Sequence, residues 1–463
     1  MSRVLKPLRW PACACLAAVL ALAVPAGLAS SVEHRLDNGM HVIVKPDRRA
    51  PVAVAMVWYR VGSMDEVNGV TGVSHALEHM MFKGTQAVPA GEYSRVIAAA
   101  GGRDNAFASK DYTAYFAMLH KSQLELVLRL EADRMTNLTL SADDFAKEIR
   151  VVMEERRWRT DDRPRSLAYE QLMATALTAH PYRNPVIGWM NDLENMRVED
   201  AREFYRRWYV PNNAVLVVVG DVETKDVLAL AQKHFGKIAS RPLPQRKPQE
   251  EPAQRGERRA IVKAPAELPQ VMMTFRVPGL RDPGADREPY ALEMLASVLS
   301  GSDAARLNRN LVRTERIASS AAAGYDGVAR GPAFFYLMGT STPGKSAAEL
   351  ERALRREMAR IIEEGVAEEE LSRVKAQAIA AHVFQRDSMF FQARQIGVLE
   401  IAGISHQTLD LQLQRLREVT PEQVREVARK YFNDDVLTIV HLDPQPLSGK
   451  PRAAPPEGLR HAQ

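Results

Sequence analysis

Short apolar runs and longer stretches of helical spacing alternate along most of the chain. His41-Val42-Ile43-Val44, a turn at Pro46-Asp47 and Val52–Tyr59 (VAVAMVWY) read as two strands. Helical spacing predicts helices over 71–83 and 91–100, and Gly101-Gly102 ends the second. Asn105-Ala106-Phe107-Ala108-Ser109 then leads into a strand over 112–119. Helices are expected over 122–137, 141–159, 167–178 and Val198–Trp208. Ala214–Gly220 (AVLVVVG) is apolar throughout, which suits a strand buried on both faces, and a helix over 227–235 follows.

The stretch 241–259 (RPLPQRKPQEEPAQRGERR) has almost nothing to bury and reads as a linker. After it the plan begins again. Strands are expected at 260–263, 271–277, 333–340 and 436–442. Helices are expected at 290–300, at 346–365, and from 368 running well past 384. Tyr431-Phe432-Asn433-Asp434-Asp435 before the last strand echoes Tyr209-Val210-Pro211-Asn212-Asn213 before AVLVVVG. The pattern predicts an α+β protein of two homologous half-copies, each a mostly antiparallel sheet packed with helices. Their expected bounds are 30–240 and 260–445, with a tail over 446–463.

Within the helix expected over 71–83 sits His75-Ala76-Leu77-Glu78-His79. Residues four apart share a helix face, so the two imidazoles point the same way with Glu78 beside them. Two such histidines can bind one Zn²⁺, and a neighbouring carboxylate can take a proton from a water activated there. Ser74 is the expected N-cap of this helix. Composition alone predicts only about 0.02 chance matches to this spacing in such a chain. Only the first half carries it; the corresponding stretch of the second reads Tyr290-Ala291-Leu292-Glu293-Met294.

Composition narrows the setting. Arg3, Lys6 and Arg9 precede an apolar run from Ala12 to Ala26 and then small residues, the layout of a signal peptide over 1–29, cleaved after Ala26 or Ala29. The expected protein is therefore exported and periplasmic. Both cysteines, Cys13 and Cys15, fall in that segment, which leaves histidine and carboxylate as metal ligands. Loss of its three basic residues takes the net charge from +5 to +2, which gives no sign of nucleic-acid binding. No later stretch is apolar and long enough to span a membrane.

Two histidines leave a catalytic zinc site one protein ligand short. Lys147-Glu148-Ile149-Arg150-Val151-Val152-Met153-Glu154-Glu155 offers candidates, and Glu148 and Glu155, seven apart, share a helix face. On spacing alone these carboxylates could equally pair with Lys147, Arg150, Arg156 and Arg157. GVSHALEHMMFKGT, GGRDNAFASKDYTAYF, KEIRVVMEERRWRTDDRP, HPYRNPVIGW and YVPNNAVLVVVGDV together decide more. In content and order they resemble the pitrilysin/insulinase peptidases, which carry the inverted zinc motif H-x-x-E-H. The resemblance covers nearly all of the chain beyond the signal segment.

The resemblance implies a zinc endopeptidase with one Zn²⁺ per chain. It places the metal on His75, His79 and Glu155, the proton transfer on Glu78, and a supporting carboxylate on Glu148. It also implies that peptides are held along an edge strand at Asn105-Ala106. Family members bind substrate backbone with an Arg and a Tyr seven positions apart in the second half. Arg313 can match the Arg, but position 320 is Ser and the nearest tyrosine is Tyr325. Either Tyr325 takes that place through a shifted loop or the pair is missing. Short members of the family form dimers, and the resemblance leaves two forms open: a homodimer, or, given the missing Tyr, a heterodimer whose related partner carries the Arg/Tyr pair. The alternative function is a non-catalytic structural or assembly subunit, as in the family's respiratory-complex core proteins.

Overall fold

The computed structural model describes residues 31–447. The expected signal peptide, both cysteines and residues 448–463 of the expected tail lie outside the described residues. The first half runs β1 (Val32–Arg35), β2 (His41–Pro46), β3 (Val52–Tyr59), α1 (Val73–Met80), α2 (Glu92–Ala99), β4 (Arg103–Ala108) and β5 (Thr113–His120). It continues α3 (Leu124–Asn137), α4 (Ala142–Arg156), α5 (Pro164–Ala176), α6 (Met190–Asn195), α7 (Val198–Trp208), β6 (Ala214–Gly220) and α8 (Thr224–His234). The second half runs β7 (Arg258–Pro265), β8 (Gln270–Val277), α9 (Glu288–Ser300), β9 (Ala318–Asp326) and β10 (Ala333–Ser341). It ends α10 (Ala347–Glu364), α11 (Glu368–Gln385), α12 (Met389–Ala402), α13 (Leu409–Glu418), α14 (Pro421–Tyr431) and β11 (Leu437–Gln445).

The two sheets have the strand orders β1-β2-β6-β3-β5-β4 and β7-β11-β8-β10-β9. Apart from β1 the orders match place for place. Each sheet has one parallel pair, β2 with β6 and β7 with β11, in the same position. The other pairs are antiparallel. The shared order and sense show the duplication far better than the short echo in sequence does. β4 and β9 are the matching edges.

Each sheet is covered on both faces, and the cover is exchanged. Along β3, Ala55, Val57 and Tyr59 face a core shared with α1, α3 and α7, while Val54, Met56 and Trp58 face the other way. That second face meets Ala393, Ile396 and Ile401 of α12, from the other half. Reciprocally, Ala168, Leu172 and Met173 of α5 cover Met272, Phe334 and Tyr336 of the second sheet. Neither half buries its own sheet alone, which explains why AVLVVVG is apolar without alternation. The joint is close: a Cβ on Gly397 of α12 would lie 2.0 Å from the Trp58 ring.

Three local expectations differ from the structure. The helix starting at Glu368 stops at Gln385, and Ser388 caps a new helix by accepting the amide of Phe391 at 3.2 Å. The stretch 105–109, a lead-in on the residue pattern alone although the resemblance implied an edge strand there, belongs largely to edge strand β4. ASSAAAGYD has too few large apolar residues to announce a strand, yet it pairs with β10 as β9. The linker has no helix or strand before β7 begins at Arg258, but it is anchored. The Glu251 carboxylate accepts the amides of Thr178, Ala179 and His180 at 2.7–2.9 Å, and the Arg246 guanidinium lies over the Trp208 ring.

Gly397→Ala is expected to destabilise the chain by about 1–3 kcal/mol through overpacking. Thermal unfolding should show Gly397→Ala and Trp58→Phe together costing less than the sum of the two alone, because the smaller ring makes room for the added methyl.

Candidate metal and peptidase site

The entrance to α1 is fixed before its histidines matter. Gly72 has φ +89°, and a Cβ there would lie 2.5 Å from the Ile187 carbonyl oxygen. Gly188, at φ +90°, faces it with the same constraint against the Thr71 carbonyl. Two buried carboxylates take up the amides at this helix start. Glu66 accepts Gly72 N at 2.7 Å and Ser74 N at 2.8 Å, and Asp192 accepts Thr71 N at 3.1 Å and Thr71 Oγ1 at 2.6 Å. Ser74 is thus not the N-cap. The cap residue is Gly72, and the Ser74 hydroxyl donates to Glu66. Carboxylates suit the positive end of the helix dipole.

α1 and α4 bring the expected ligands together. His75 Nε2 lies 3.6 Å and His79 Nε2 3.3 Å from Glu155 Oε2. The three donors fall within 4.8 Å of one another, and all three residues are buried. His79 Nδ1 donates to Glu148 at 3.0 Å, which turns Nε2 toward the cluster, and Lys83 pairs with the other Glu148 oxygen. A tetrahedral ion with bonds of about 2.0–2.2 Å separates its ligand atoms by about 3.3–3.6 Å, so this donor set fits zinc. Glu78 is 1% exposed and accepts the Ala108 amide, at the end of edge strand β4. Glu154 points away, exposed and paired with Arg157.

Electrostatics follow from burial and neighbours. Burial pushes Glu78 up to about 7, with His79 opposing and Glu155 adding. Burial also works against charge on Glu155 and His79, but each is overruled. The His79 hydrogen bond, His75 and Arg159 hold Glu155 down at about 2, and Glu148 and Glu155 raise His79 to about 9. Carboxylates that retain a proton on His79 this firmly would also favour a cation in its place.

Several contributors have no motif of their own. A π-helical turn over Arg157–Asp161 brings Arg159 Nε to 2.9 Å from Glu155 Oε1. Arg156, 5% exposed, meets both Glu170 oxygens at 2.8 and 2.9 Å and donates to the Gly188 carbonyl at 2.8 Å. It thereby ties the end of α4 to the turn packed on α1. Among the described residues a second group, Glu33, Glu400 and His406, also offers three donors. Glu33 is exposed, however, and Glu400 already meets His406 Nδ1 at 2.9 Å.

Residues 41–189 match the family model for insulinase (peptidase family M16), and residues 195–378 match the peptidase M16 inactive domain. The zinc protease PqqE of Helicobacter pylori is 32% identical over 88% of this chain and 92% of its own length. The chain belongs to the insulinase family, M16. The crystal structure of a protease from Helicobacter pylori superposes with a TM-score of 0.86 at 30% identity, covering 90% of this chain and 100% of that one. A chain of complex III2 from Candida albicans shares the fold at 14% identity, with a TM-score of 0.74 over 89% of this chain and 95% of that one. The inactive-domain match falls on the half whose α9, the counterpart of α1, lacks the histidines.

The expected substrate residues of the second half are not gathered together. Arg313 is exposed on a π-helical turn ahead of β9. β9 stays in register from Ser320 opposite Thr340 to Tyr325 opposite Phe335, so no shifted loop intervenes. Five positions apart on a strand, Ser320 and Tyr325 point to opposite faces. The Tyr325 hydroxyl donates to the Pro278 carbonyl at 2.5 Å. In the first half, Asn105 and Ala106 lie on β4, the open edge beside Glu78.

Glu66→Gln is expected to cost about 1–3 kcal/mol in chemical denaturation, because the amide nitrogen turns a donor toward the helix-start amides.

Proposed function

We propose that this chain is a zinc-dependent endopeptidase that hydrolyses peptides or unfolded polypeptide segments. The observation that carries the reading is the buried His75, His79 and Glu155 cluster with Glu78 beside it and an open strand edge alongside. In the reading, His75, His79 and Glu155 hold one zinc ion. Zinc bound there supplies Lewis acidity toward the scissile carbonyl and toward water. A substrate adds its backbone to β4 near Asn105 and Ala106, which brings a peptide bond past Glu78 without demanding a particular side chain. Glu78 takes a proton from the attacking water on its carboxylate and returns it to the leaving nitrogen. The Ala108 amide holds that carboxylate in place, and Glu148 fixes the tautomer and tilt of His79.

The setting belongs to the same reading. The periplasmic protease PqqL of Escherichia coli shares the fold at 20% identity over 90% of this chain. With the signal pattern over 1–29, this supports export to the periplasm. No helix among the described residues is long and apolar enough to cross a membrane. The bound Tyr325 hydroxyl and the Ser at position 320 support a dimer in which a related partner supplies the Arg/Tyr pair. The second reading, a non-catalytic subunit, draws on the fold shared with complex III2 and predicts no hydrolysis even with a full complement of zinc.

Glu78→Gln should retain zinc, measured by elemental analysis, and lower kcat on an unstructured peptide by about 10²- to 10⁴-fold. Glu155→Gln should lose both zinc and turnover, while Glu154→Gln should stay close to wild type. Glu148→Gln should weaken zinc binding by about 10- to 100-fold in a competition titration with a chelator. Need of Glu154 rather than Glu155 for zinc would overturn the ligand assignment.

A further inference from the structure

A cavity of about 500 Å³ lies between α5, the turn at 183–187, and strands β8 and β10. It adjoins the metal cluster at one point and the groups that support the cluster at two more. Arg159 lines it, and its Nε is 2.9 Å from Glu155. Ile187 lines it, and its carbonyl abuts Gly72 at the start of α1. Lys110 lines it, two residues beyond the end of β4, whose Ala108 amide reaches Glu78. An extended chain advances about 3.3 Å per residue, so a peptide laid along β4 presents to this cavity a side chain within a residue or two of the bond at Glu78.

The cavity combines apolar lining with cationic side chains. Met173, Met272 and Met338 contribute apolar lining. Two of the charged groups that line it are already matched, Arg159 by Glu155 and Glu170 by both nitrogens of Arg156. Lys110, Arg165 and Arg183 remain, and among the described residues none has a carboxylate within 4.0 Å. Lys110 sits 4.9 Å from the Tyr182 ring centroid, and burial draws its pKa down to about 8 although Asp326 and Asp111 oppose this. A carboxylate brought beside it would hold that ammonium charge more firmly, and methylenes would rest against the methionines.

We propose that this cavity is a side-chain subsite that selects an acidic residue, Glu or Asp, next to the scissile bond, with Lys110, Arg165 and Arg183 as the specificity-determining groups. The inference rests on the peptidase reading for its substrate but not for its test. Binding is measured on full-length Glu78→Gln chain by fluorescence anisotropy, with peptides identical except for Glu, Gln or Lys at each position in turn. All are blocked at both ends, so only a side chain offers a carboxylate. At one position the Glu peptide should bind about tenfold or more tighter than the Lys peptide, the size of a partly desolvated charge-assisted contact. Arg165→Glu with Arg183→Glu, both exposed positions, should reverse the order toward Lys without changing zinc content. Equal affinities at every position, or an unchanged order in the reversed variant, overturn the proposal. A preference seen only with free C-termini assigns the cavity to the chain terminus and overturns it too. Turnover by the wild-type chain is read separately: charge-selective binding without hydrolysis keeps the subsite and sinks the peptidase reading.

Discussion

The carboxylate of Glu155 is 0% exposed, and it is the group around which the rest is arranged. A buried charge left without partners costs about 3–5 kcal/mol. Here it meets two imidazoles from α1 and one guanidinium from the π-helical turn that follows it. That arrangement depends on how closely α1 approaches α4. Glu66 and Asp192 at the start of α1, the facing glycines 72 and 188, and Arg156 at the end of α4 all act on that approach. The same geometry that makes the carboxylate tolerable makes the cluster suitable for a divalent cation.

The exchange of α5 and α12 gives the site its surroundings. Because α5 leaves the first sheet to cover the second, the chain between α4 and α6 runs across the seam, carrying Arg159, Glu170 and the turn at 183–188. The cluster of His75, His79 and Glu155 belongs to the first half, yet the cavity beside it is walled partly by β8 and β10 of the second. The second copy, whose α9 lacks the paired histidines, still serves as cover for a sheet and as wall for a cleft.

What the sequence revealed was what depends on short spacing. The i, i+4 histidines and the seven-residue step from Glu148 to Glu155 are local helix geometry, and both stand in the structure as the spacing implies. Choosing Glu155 over Glu154 needed the family resemblance, since both lie among basic residues that could neutralise them. The helix exchange was not legible, because an apolar stripe on α12 reads the same whichever sheet it covers. Glu66 escaped notice for a different reason: it caps α1 from eight residues upstream of Ser74, across a loop with no periodic signal. β9 was hidden by its small side chains, and the break at 386–388 by helical spacing that continues on both sides of Ser388.

The proposed activity depends on zinc held by His75, His79 and Glu155 together. X-ray absorption at the zinc edge of the purified full-length chain tests it most directly. Two imidazole nitrogens and carboxylate oxygen at about 2.0–2.2 Å with no sulfur are expected, with loss of that signature in His75→Ala. A zinc signal unchanged in His75→Ala, or a first shell without imidazole, would contradict it.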